Sequence, residues 1–188
     1  MNIFVLDRNP RVAAQGHADK HVVKMILEAV QMLYTAHWAV AYPHLLENRS
    51  PIALSRAQKE LPVPPSLIAC PWIPYRPVHI HHPCTKWARE TLANYQWLCL
   101  LAIAIGQEHQ YRWPTHAPHT CLRHATWLLL HPPLLLRAAL TPFAIAMPIE
   151  YKHEDPVIAY RAYYCGSKTE RGITKHYTRR GVPLWLSE

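Results

Sequence analysis

The chain has 188 residues, of which 50% are hydrophobic and 17% are charged. Such a composition excludes an intrinsically disordered chain and is typical of one globular domain over residues 1–188. The formal net charge is +8 when the histidines are counted as neutral. Because an excess of positive charge attracts phosphate groups, we expect DNA or a nucleotide as the partner.

Neither the cysteines nor the apolar segments indicate export or membrane insertion. The five cysteines are odd in number and contain no C-x-x-C pair, which argues against a secreted disulfide framework. No apolar run approaches the roughly 18 residues of a membrane-spanning helix, and residues 1–7 lack the basic leader of a signal peptide. The sequence therefore predicts a cytoplasmic protein that contacts no membrane.

The predicted elements begin with a short strand and a long helix. Residues 2–6, Asn-Ile-Phe-Val-Leu, predict a strand that ends at Asp7, before an Asn-Pro turn. The stretch from His17, free of proline and glycine, then predicts a helix over residues 16–38. Prolines crowd residues 39–83, which predicts an irregular connection. The helical side chains expected to be buried are Val22, Val23, Ile26, Leu27, Val30 and Leu33.

Three helices are predicted in the middle of the chain. The first begins near Thr85, whose hydroxyl suits an N-cap, and ends at Arg112 before a Trp-Pro pair. A shorter helix follows over residues 121–130. Another is expected beyond two consecutive prolines, over residues 134–140.

One more helix is predicted near the C-terminus. Asp155 and the proline after it mark its start, since an acidic N-cap is often followed by proline in the first turn. This helix is expected to reach Tyr164 and to be stopped by Gly166. The expected fold class is mainly α: a single helical domain with a short N-terminal strand and proline-rich connections.

The most informative pattern lies on the first long helix. Six polar residues are spaced by four, three, four, three and four positions, which places them on one helical face. Most residues between them are apolar, whereas an ordinary surface helix has a broad polar face. We therefore expect this polar stripe to line an interior cleft, where burial shifts the titration of ionisable groups. The polar stripe consists of His17, His21, Lys24, Glu28, Gln31 and Thr35.

These side chains include the groups that acid–base catalysis needs. His21 is the candidate proton carrier, Lys24 the nucleophile or electrostatic stabiliser, and Glu28 the group that orients it. His17 and Asp19 complete the candidate catalytic set. Alternatively, the stripe is solvated, and Lys24 and Glu28 form only an ion pair along the helix.

Seven further polar residues are candidates for binding a substrate. On the second long helix, polar residues repeat at four-residue spacing and would face the polar stripe if the two helices pack together. The alternative is an exposed face that carries ion pairs within the helix. The candidate substrate-binding residues are Asp7, Gln31, His82, Arg89, Asn94, Arg112 and His116.

Two histidine-rich segments, residues 79–84 and 116–124, contain side chains that can bind zinc. Their spacing matches no standard zinc module. We therefore assign no metal ligand and keep zinc as the alternative cofactor. His82 and His116 are instead expected to form hydrogen bonds in the cleft.

The segment over residues 166–188 combines cations, hydroxyls and aromatic rings. From Arg161 onward, six basic residues oppose two acidic ones, and this excess is half of the net charge. Such groups neutralise phosphates and stack on unpaired bases. The alternative is a solvated basic tail. The residues predicted to contact phosphates are Lys168, Arg171, Lys175, Arg179 and Arg180.

Five blocks spread over most of the chain carry a resemblance to known sequences. They are residues 2–7, residues 17–25 with the sequence His-Ala-Asp-Lys-His-Val-Val-Lys-Met, His82-Pro83 with Trp87 and Arg89, Glu108 with Tyr111 and Arg112, and residues 146–152 with Tyr160 and Arg161. In these blocks the chain resembles a family of small proteins encoded by bacteriophages and large DNA viruses. The resemblance implies no particular activity, cofactor or catalytic residue. It does imply the cytoplasm of a host cell, where small basic proteins often act on DNA or nucleotides.

Three functions fit the sequence. The first is an enzyme that acts on DNA or a nucleotide by base modification or glycosidic-bond chemistry. The chain lacks a P-loop, a glycine-rich dinucleotide turn and a carboxylate cluster for two magnesium ions, whereas His, Lys and Glu can act on a base taken out of the stack. The second is a non-catalytic nucleic-acid-binding or host-interaction protein. The third is a metal-dependent hydrolase that uses the histidine clusters.

Overall fold

The computed structural model describes residues 1–47, 59–174 and 176–187. Within these ranges the regular elements are helical, and no β-strand is present. The α-helices are α1 (Pro10–Gln15), α2 (Asp19–Ala41), α3 (Pro83–Ala88), α4 (Leu92–Arg112), α5 (Cys121–Leu130), α6 (Pro156–Tyr163) and α7 (Leu184–Ser187). Short 3₁₀ turns cover Pro43–Leu46, Pro65–Leu67 and Ile149–Tyr151, and a π-helical turn covers Tyr164–Lys168.

Helix α2 lies at the centre of the fold and packs against α3, α4 and α5. It begins at Asp19, whose carboxylate suits the positive end of a helix, and it ends shortly before Pro43. The predicted long helix is thus confirmed. Four of the six side chains expected to be buried are buried, but Val23 is 49% exposed and Leu27 is only half-buried. The prediction was wrong for these two because the neighbouring helices do not enclose α2 on every side.

The helix predicted from Thr85 to Arg112 is divided in two. Thr91 lies between α3 and α4 and caps α4, because its Oγ1 accepts a hydrogen bond from the backbone N–H of Asn94 at 3.1 Å. The Asn94 side chain reaches back and donates to the Trp87 carbonyl at 2.8 Å. One short polar segment therefore ends α3 and begins α4.

The predicted N-terminal strand is wrong. Ile3, Val5 and Leu6 are buried as a strand in the core would be, but no partner strand exists in the described parts of the chain. Side chains satisfy part of the backbone instead: the Asn2 Oδ1 accepts the Ile3 N–H at 2.8 Å, and the Arg161 guanidinium donates to the Leu6 carbonyl at 2.9 Å. The segment is apolar because it is buried, and it is irregular because no sheet receives it.

The helix predicted over residues 134–140 is also wrong. This segment is not helical, and the Leu136 carbonyl accepts the Leu92 N–H at 2.8 Å. Leu134 is 90% exposed and Leu136 is 68% exposed, so helix formation here would bury little apolar surface. Without such burial, a helix this short is not stable.

Helix α6 starts as predicted and ends at Tyr163, one residue before the predicted end, but the helical backbone does not stop at Gly166. Asp155 caps it by accepting the Val157 N–H at 2.7 Å. The chain then passes through the π-helical turn, in which Gly166 packs against Tyr151: a Cβ atom at this position would lie 2.6 Å from the Tyr151 hydroxyl oxygen. Gly166 is therefore a place of close approach rather than a helix stop.

The C-terminal segment is tied to the rest of the domain. The Asp19 N–H donates to the His176 carbonyl at 2.9 Å, and Tyr177 belongs to the main hydrophobic core together with residues of α2 and α4. The described residues form one compact, mainly helical domain. None of the helices in the described ranges has the length and apolarity needed to cross a bilayer.

Candidate active site

Near the start of α2, the polar stripe contacts the N-terminal segment and the π-helical turn. His21, in the first turn of α2, lies against the Phe4 ring with a centroid separation of 4.6 Å. Tyr164 packs edge-on against both rings. We call His21, Lys24, Phe4, Tyr164 and Lys168 the His21 centre. Its members come from three separate stretches of the chain.

The His21 imidazole is neutral and fixed in orientation. It is 6% exposed, and its Nδ1 lies 2.5 Å from the Tyr164 hydroxyl. That hydroxyl also accepts the Ala18 N–H at 3.2 Å, so Tyr164 ties the His21 ring to the start of α2. Burial, with help from neighbouring positive groups, lowers the pKa of His21 to about 2. At neutral pH this side chain is therefore a neutral imidazole with one N–H to donate, and its role as proton carrier stays a prediction.

Two ammonium groups lie close enough to His21 for their charges to act on it. After burial and His17, the charges of Lys168 and Lys24 are the groups that lower the His21 pKa. Lys168 donates to the Tyr163 hydroxyl at 3.0 Å, and its Nζ lies 4.3 Å from the centre of the Tyr163 ring. The Lys24 side chain is 68% exposed. The centre therefore combines a neutral donor with two positive charges, one of which is open to solvent.

Phe4 adopts a backbone conformation that a bulky residue rarely accepts. Its φ is 34°, in the left-handed region, where a non-glycine residue stores on the order of 1–3 kcal/mol of strain. The strained turn places its ring against His21, and Lys168 Nζ lies 5.5 Å from the same ring. Strain of this kind concentrates at functional sites, where the surrounding structure maintains it.

Glu28 anchors Lys24 to the N-terminal segment. Its Oε1 lies 3.2 Å from Lys24 Nζ, while Oε2 accepts the Asn2 N–H at 3.1 Å and lies 3.5 Å from the Met1 amine. The contact with Lys24 is expected both for the orienting role of Glu28 and for the alternative, in which the two residues form only an ion pair along the helix. His82 is close enough to Glu28 for the carboxylate charge to act on its ring. That charge acts to raise the pKa of His82, but burial lowers it overall. Its Nδ1 accepts the N–H of Cys84 at 3.2 Å, and His82 thus caps α3.

The remaining members of the polar stripe are internal. His17 is completely buried and donates from Nδ1 to the Ala13 carbonyl at 2.7 Å, and burial lowers its pKa to about 4. Its Nε2 has no hydrogen-bond partner among the described residues. Thr35 Oγ1 donates to the Gln31 carbonyl at 2.7 Å and accepts the Val78 N–H at 3.1 Å. Gln31 is half-buried. The polar stripe therefore contributes His21 and Lys24 to the site, whereas its members His17 and Thr35 support the structure.

Three predicted functional residues belong instead to one charged network inside the domain. Arg112, with a fully buried side chain, contacts Asp19 at 2.8 Å and Glu108 at 2.8 Å. Arg180 donates to both carboxylate oxygens of Glu108, each at 2.8 Å. Asp19 also accepts from the Thr178 hydroxyl at 2.6 Å. Asp19, Arg112 and Arg180 thus hold the C-terminal segment against α2 and α4.

The network stabilises the ionised forms of Asp19 and Glu108, because it lowers the pKa of both carboxyl groups. Burial raises the pKa of Asp19, but hydrogen bonds from Thr178 and Arg112 outweigh it and lower the pKa overall. Burial likewise raises the pKa of Glu108, and the bonds from Arg180 and Arg112 lower it overall. Both carboxylates are ionised at neutral pH.

Four predicted substrate-binding residues lie outside the His21 centre. Asn94 is completely buried and bonds to Trp87 and Thr141, not to the polar stripe. Arg89 donates to the Ile80 carbonyl at 2.7 Å. Asp7 lies 3.6 Å from Arg161, and the exposed His116 stacks on Trp113 with a centroid separation of 6.4 Å.

The predicted phosphate-binding residues of the C-terminal segment differ in their surroundings. Lys168 belongs to the His21 centre, and Arg171 is exposed. Arg179 is exposed but donates to the Tyr111 carbonyl at 3.2 Å, while Arg180 pairs with Glu108 as described above. Lys175 lies outside the described residues.

Phe4 and Tyr164 are site residues that the sequence pattern does not predict. Phe4 was assigned to a strand, and Tyr164 is 143 positions away from His21 along the chain. No local spacing connects residues so far apart. The strained φ of Phe4 and the hydroxyl contact of Tyr164 are visible only in the folded structure.

The histidine-rich segments contribute no metal centre in the described part of the molecule: no group of three His, Cys, Asp or Glu side chains there is arranged to hold a metal ion. The ring centroids of His119 and His116 lie 5.6 and 6.4 Å from that of His109.

Comparison of the chain with protein-family models, with curated proteins and with solved structures found no match. The resemblance to phage and viral proteins therefore stays a hypothesis.

Proposed function

We propose that this protein is an enzyme that acts on DNA or a nucleotide, at the base or at the glycosidic bond, and that the His21 centre carries the reaction. One observation supports the proposal above the others. A neutral imidazole, fixed by Tyr164 over the strained Phe4, lies beside the ammonium groups of Lys24 and Lys168. Such an arrangement stabilises negative charge that develops on a substrate.

Glycosidic-bond cleavage is the reaction that uses these groups most directly. Water attacks the sugar carbon, the carbon–nitrogen bond breaks, the base departs with the bonding electron pair, and the proton that the water loses ends on the base. A hydrogen-bond donor such as His21 and an ammonium group such as Lys24 stabilise the departing base. Glu28 holds Lys24 in place through the 3.2 Å contact. The alternative role of Lys24 as a nucleophile uses the same position and the same orienting group.

The test is the release or alteration of bases. Purified protein is incubated with single-stranded DNA, duplex DNA and nucleoside monophosphates, and the products are identified by mass spectrometry. We expect Lys24→Met, which keeps the stem and removes the charge, to lower the rate at least about tenfold, since loss of one electrostatic stabiliser typically costs more. Lys86→Met is the matched control, because it removes an exposed lysine charge from α3, outside the His21 centre. Full activity of a folded Lys24→Met variant would show that Lys24 has no chemical role.

A second candidate function is non-catalytic binding of nucleic acid. The observation that favours it is the internal use of much of the polar stripe, where His17 and Thr35 are completely buried and hydrogen-bonded. In that case no product forms with any substrate, and the protein binds all sequences with an affinity that falls steeply with salt. Product analysis and salt-dependent binding therefore separate the two candidates.

A further inference from the structure

A second surface has the composition of a ligand site. A cavity of about 610 Å³ lies between residues 71–76 and the start of α5. Such a volume falls within the range of about 300–1,000 Å³ that small-molecule sites occupy. Besides two prolines, its lining consists of Trp72, Ile73, Tyr75, Arg76, Arg123 and His124. We call it the Trp72 cavity. It shares no residue with the His21 centre.

The floor of the Trp72 cavity is fixed by buried hydrogen bonds. The Tyr34 hydroxyl, from α2, lies 2.7 Å from His124 Nδ1 and 3.4 Å from the Cys70 sulfur. The Tyr75 hydroxyl lies 3.8 Å from the Cys121 sulfur. These contacts hold the His124 and Tyr75 rings in place before any ligand arrives, which reduces the entropy lost on binding.

The aromatic wall is open to solvent in part. Trp72 is half-buried and packs on His124 with a centroid separation of 5.0 Å. Ile73 beside it is 91% exposed. An indole and an aliphatic side chain at the rim of a cavity present apolar surface that a flat ring can cover.

The charged side chains of the cavity are both arginines. The Arg123 guanidinium lies 5.0 Å from the centre of the Trp72 ring, and Arg123 is exposed. The Arg76 guanidinium lies 4.9 Å from the centre of the Trp38 ring and donates to the Leu61 carbonyl at 2.9 Å. Among the described residues that line the cavity, none is acidic. Two guanidinium groups beside an aromatic wall suit a ligand that is both planar and anionic.

We propose that the Trp72 cavity binds one unpaired nucleotide, with its base on Trp72 and Tyr75 and its phosphate at Arg123 and Arg76. Stacking of bases on aromatic side chains beside basic groups is the usual mode of single-strand recognition. A phosphate ion alone would leave the aromatic wall uncovered, and an uncharged aromatic ligand would make no use of the positive charge of the exposed Arg123. The proposal depends on no residue of the proposed catalytic centre.

Binding of nucleoside monophosphates by isothermal titration calorimetry tests it. We expect Trp72→Ala and Arg123→Ala each to weaken binding at least about fivefold, since loss of one stacking side chain typically costs this much or more. Arg123→Lys keeps the charge but not the planar group over Trp72, and it should also bind more weakly. Trp127→Ala and Arg137→Ala are the matched controls, because Trp127 stacks on His131 instead and the exposed Arg137 is not in the cavity. Both controls should bind like the unmodified protein.

Comparison of ligands decides the chemistry of the site. The nucleoside monophosphate should bind more tightly than inorganic phosphate and more tightly than the uncharged nucleoside. Equal affinity for inorganic phosphate, or unchanged affinity in the folded Trp72→Ala and Arg123→Ala variants, would overturn the proposal. Because the readout is binding, it is independent of turnover: an inactive protein that binds nucleotide at Trp72 refutes the proposed function and leaves this inference intact.

Discussion

Replacement of Glu108 by Gln tests the charged network that holds the C-terminal segment. Glu108 accepts hydrogen bonds from Arg112 at 2.8 Å and from Arg180 at 2.8 Å. The glutamine has the same shape and keeps one acceptor oxygen, but it removes the negative charge between the two guanidinium groups. Arg112 is then left with Asp19 as its acidic partner.

The expected loss of stability follows from burial. The side chains of Arg112 and Glu108 are 0% and 3% exposed. Removal of one partner from a buried ion pair typically costs about 3–5 kcal/mol, and we expect about 3 kcal/mol because the Asp19 contact persists. At roughly 2–4 °C per kcal/mol for a domain of this size, Tm should fall by roughly 6–12 °C.

Thermal denaturation followed by circular dichroism measures this change. The control is Asp155→Asn, which removes one charge from the surface pair of Asp155 and Arg8, with side chains 36% and 65% exposed, and keeps a residue type that caps helices well. We expect little change in Tm for the control. A Glu108→Gln variant that unfolds at the temperature of Asp155→Asn would refute the assignment of the network as a stabilising element.

The same variant separates two causes of acid sensitivity. Burial lowers the pKa values of His17, His21 and His37 from 6.5 to about 4, 2 and 3. The unfolded chain therefore takes up protons first, and this part of the stability is lost as pH falls from about 6.5 through the folded values. The pKa of Glu108 is lowered from 4.5, so its contribution is present above that pH and is lost only as pH falls through its folded value. Glu108→Gln should keep the first loss and reduce the second.

Two further predictions concern α2 and its contacts. Ile26→Ala should lower the free energy of unfolding by about 2–5 kcal/mol through lost burial and a cavity, because Ile26 is completely buried. Val23→Ala, at a position that is 49% exposed, should lower it much less. Equal effects of the two substitutions in urea denaturation would contradict the burial pattern. Tyr164→Phe should lower the free energy of unfolding by about 1–3 kcal/mol, because it leaves His21 Nδ1 without its buried partner. The control is Tyr42→Phe, which removes a hydroxyl that forms its hydrogen bond at the surface. An effect of Tyr164→Phe no larger than that of the control would be evidence against the contact with His21.

The elements that could be predicted from the sequence are those whose signals are local. Helix α2 follows from its long stretch without proline or glycine, and α6 from Asp155, whose carboxylate accepts the Val157 N–H at 2.7 Å. The helix over residues 121–130 lies between prolines that close it. In each case the residues that cause the structure are neighbours along the chain.

The parts that could not be predicted depend on distant partners. Residues 2–6 have the apolar composition of a strand, but composition does not reveal whether a second strand exists to pair with them. The sequence predicts phosphate contacts for the basic residues near the C-terminus, yet Arg180 donates a hydrogen bond to Glu108, 72 positions away. The partner of His21 is Tyr164, 143 positions away. A pattern on one helix indicates which side chains share a face, but not which groups cover that face.

The two proposed ligand surfaces lie against different parts of α2. His21 and Tyr34 are 13 positions apart, which corresponds to about 20 Å along the axis of α2 and about 140° around it. Tyr34 supports the floor of the Trp72 cavity, so a single nucleotide bound there does not reach the His21 centre. The loss of mononucleotide affinity in Trp72→Ala therefore reports on the Trp72 cavity, and turnover reports on the His21 centre. Only a strand long enough to pass around α2 contacts both, and for such a strand the second contact forms at a high effective concentration once the first is made.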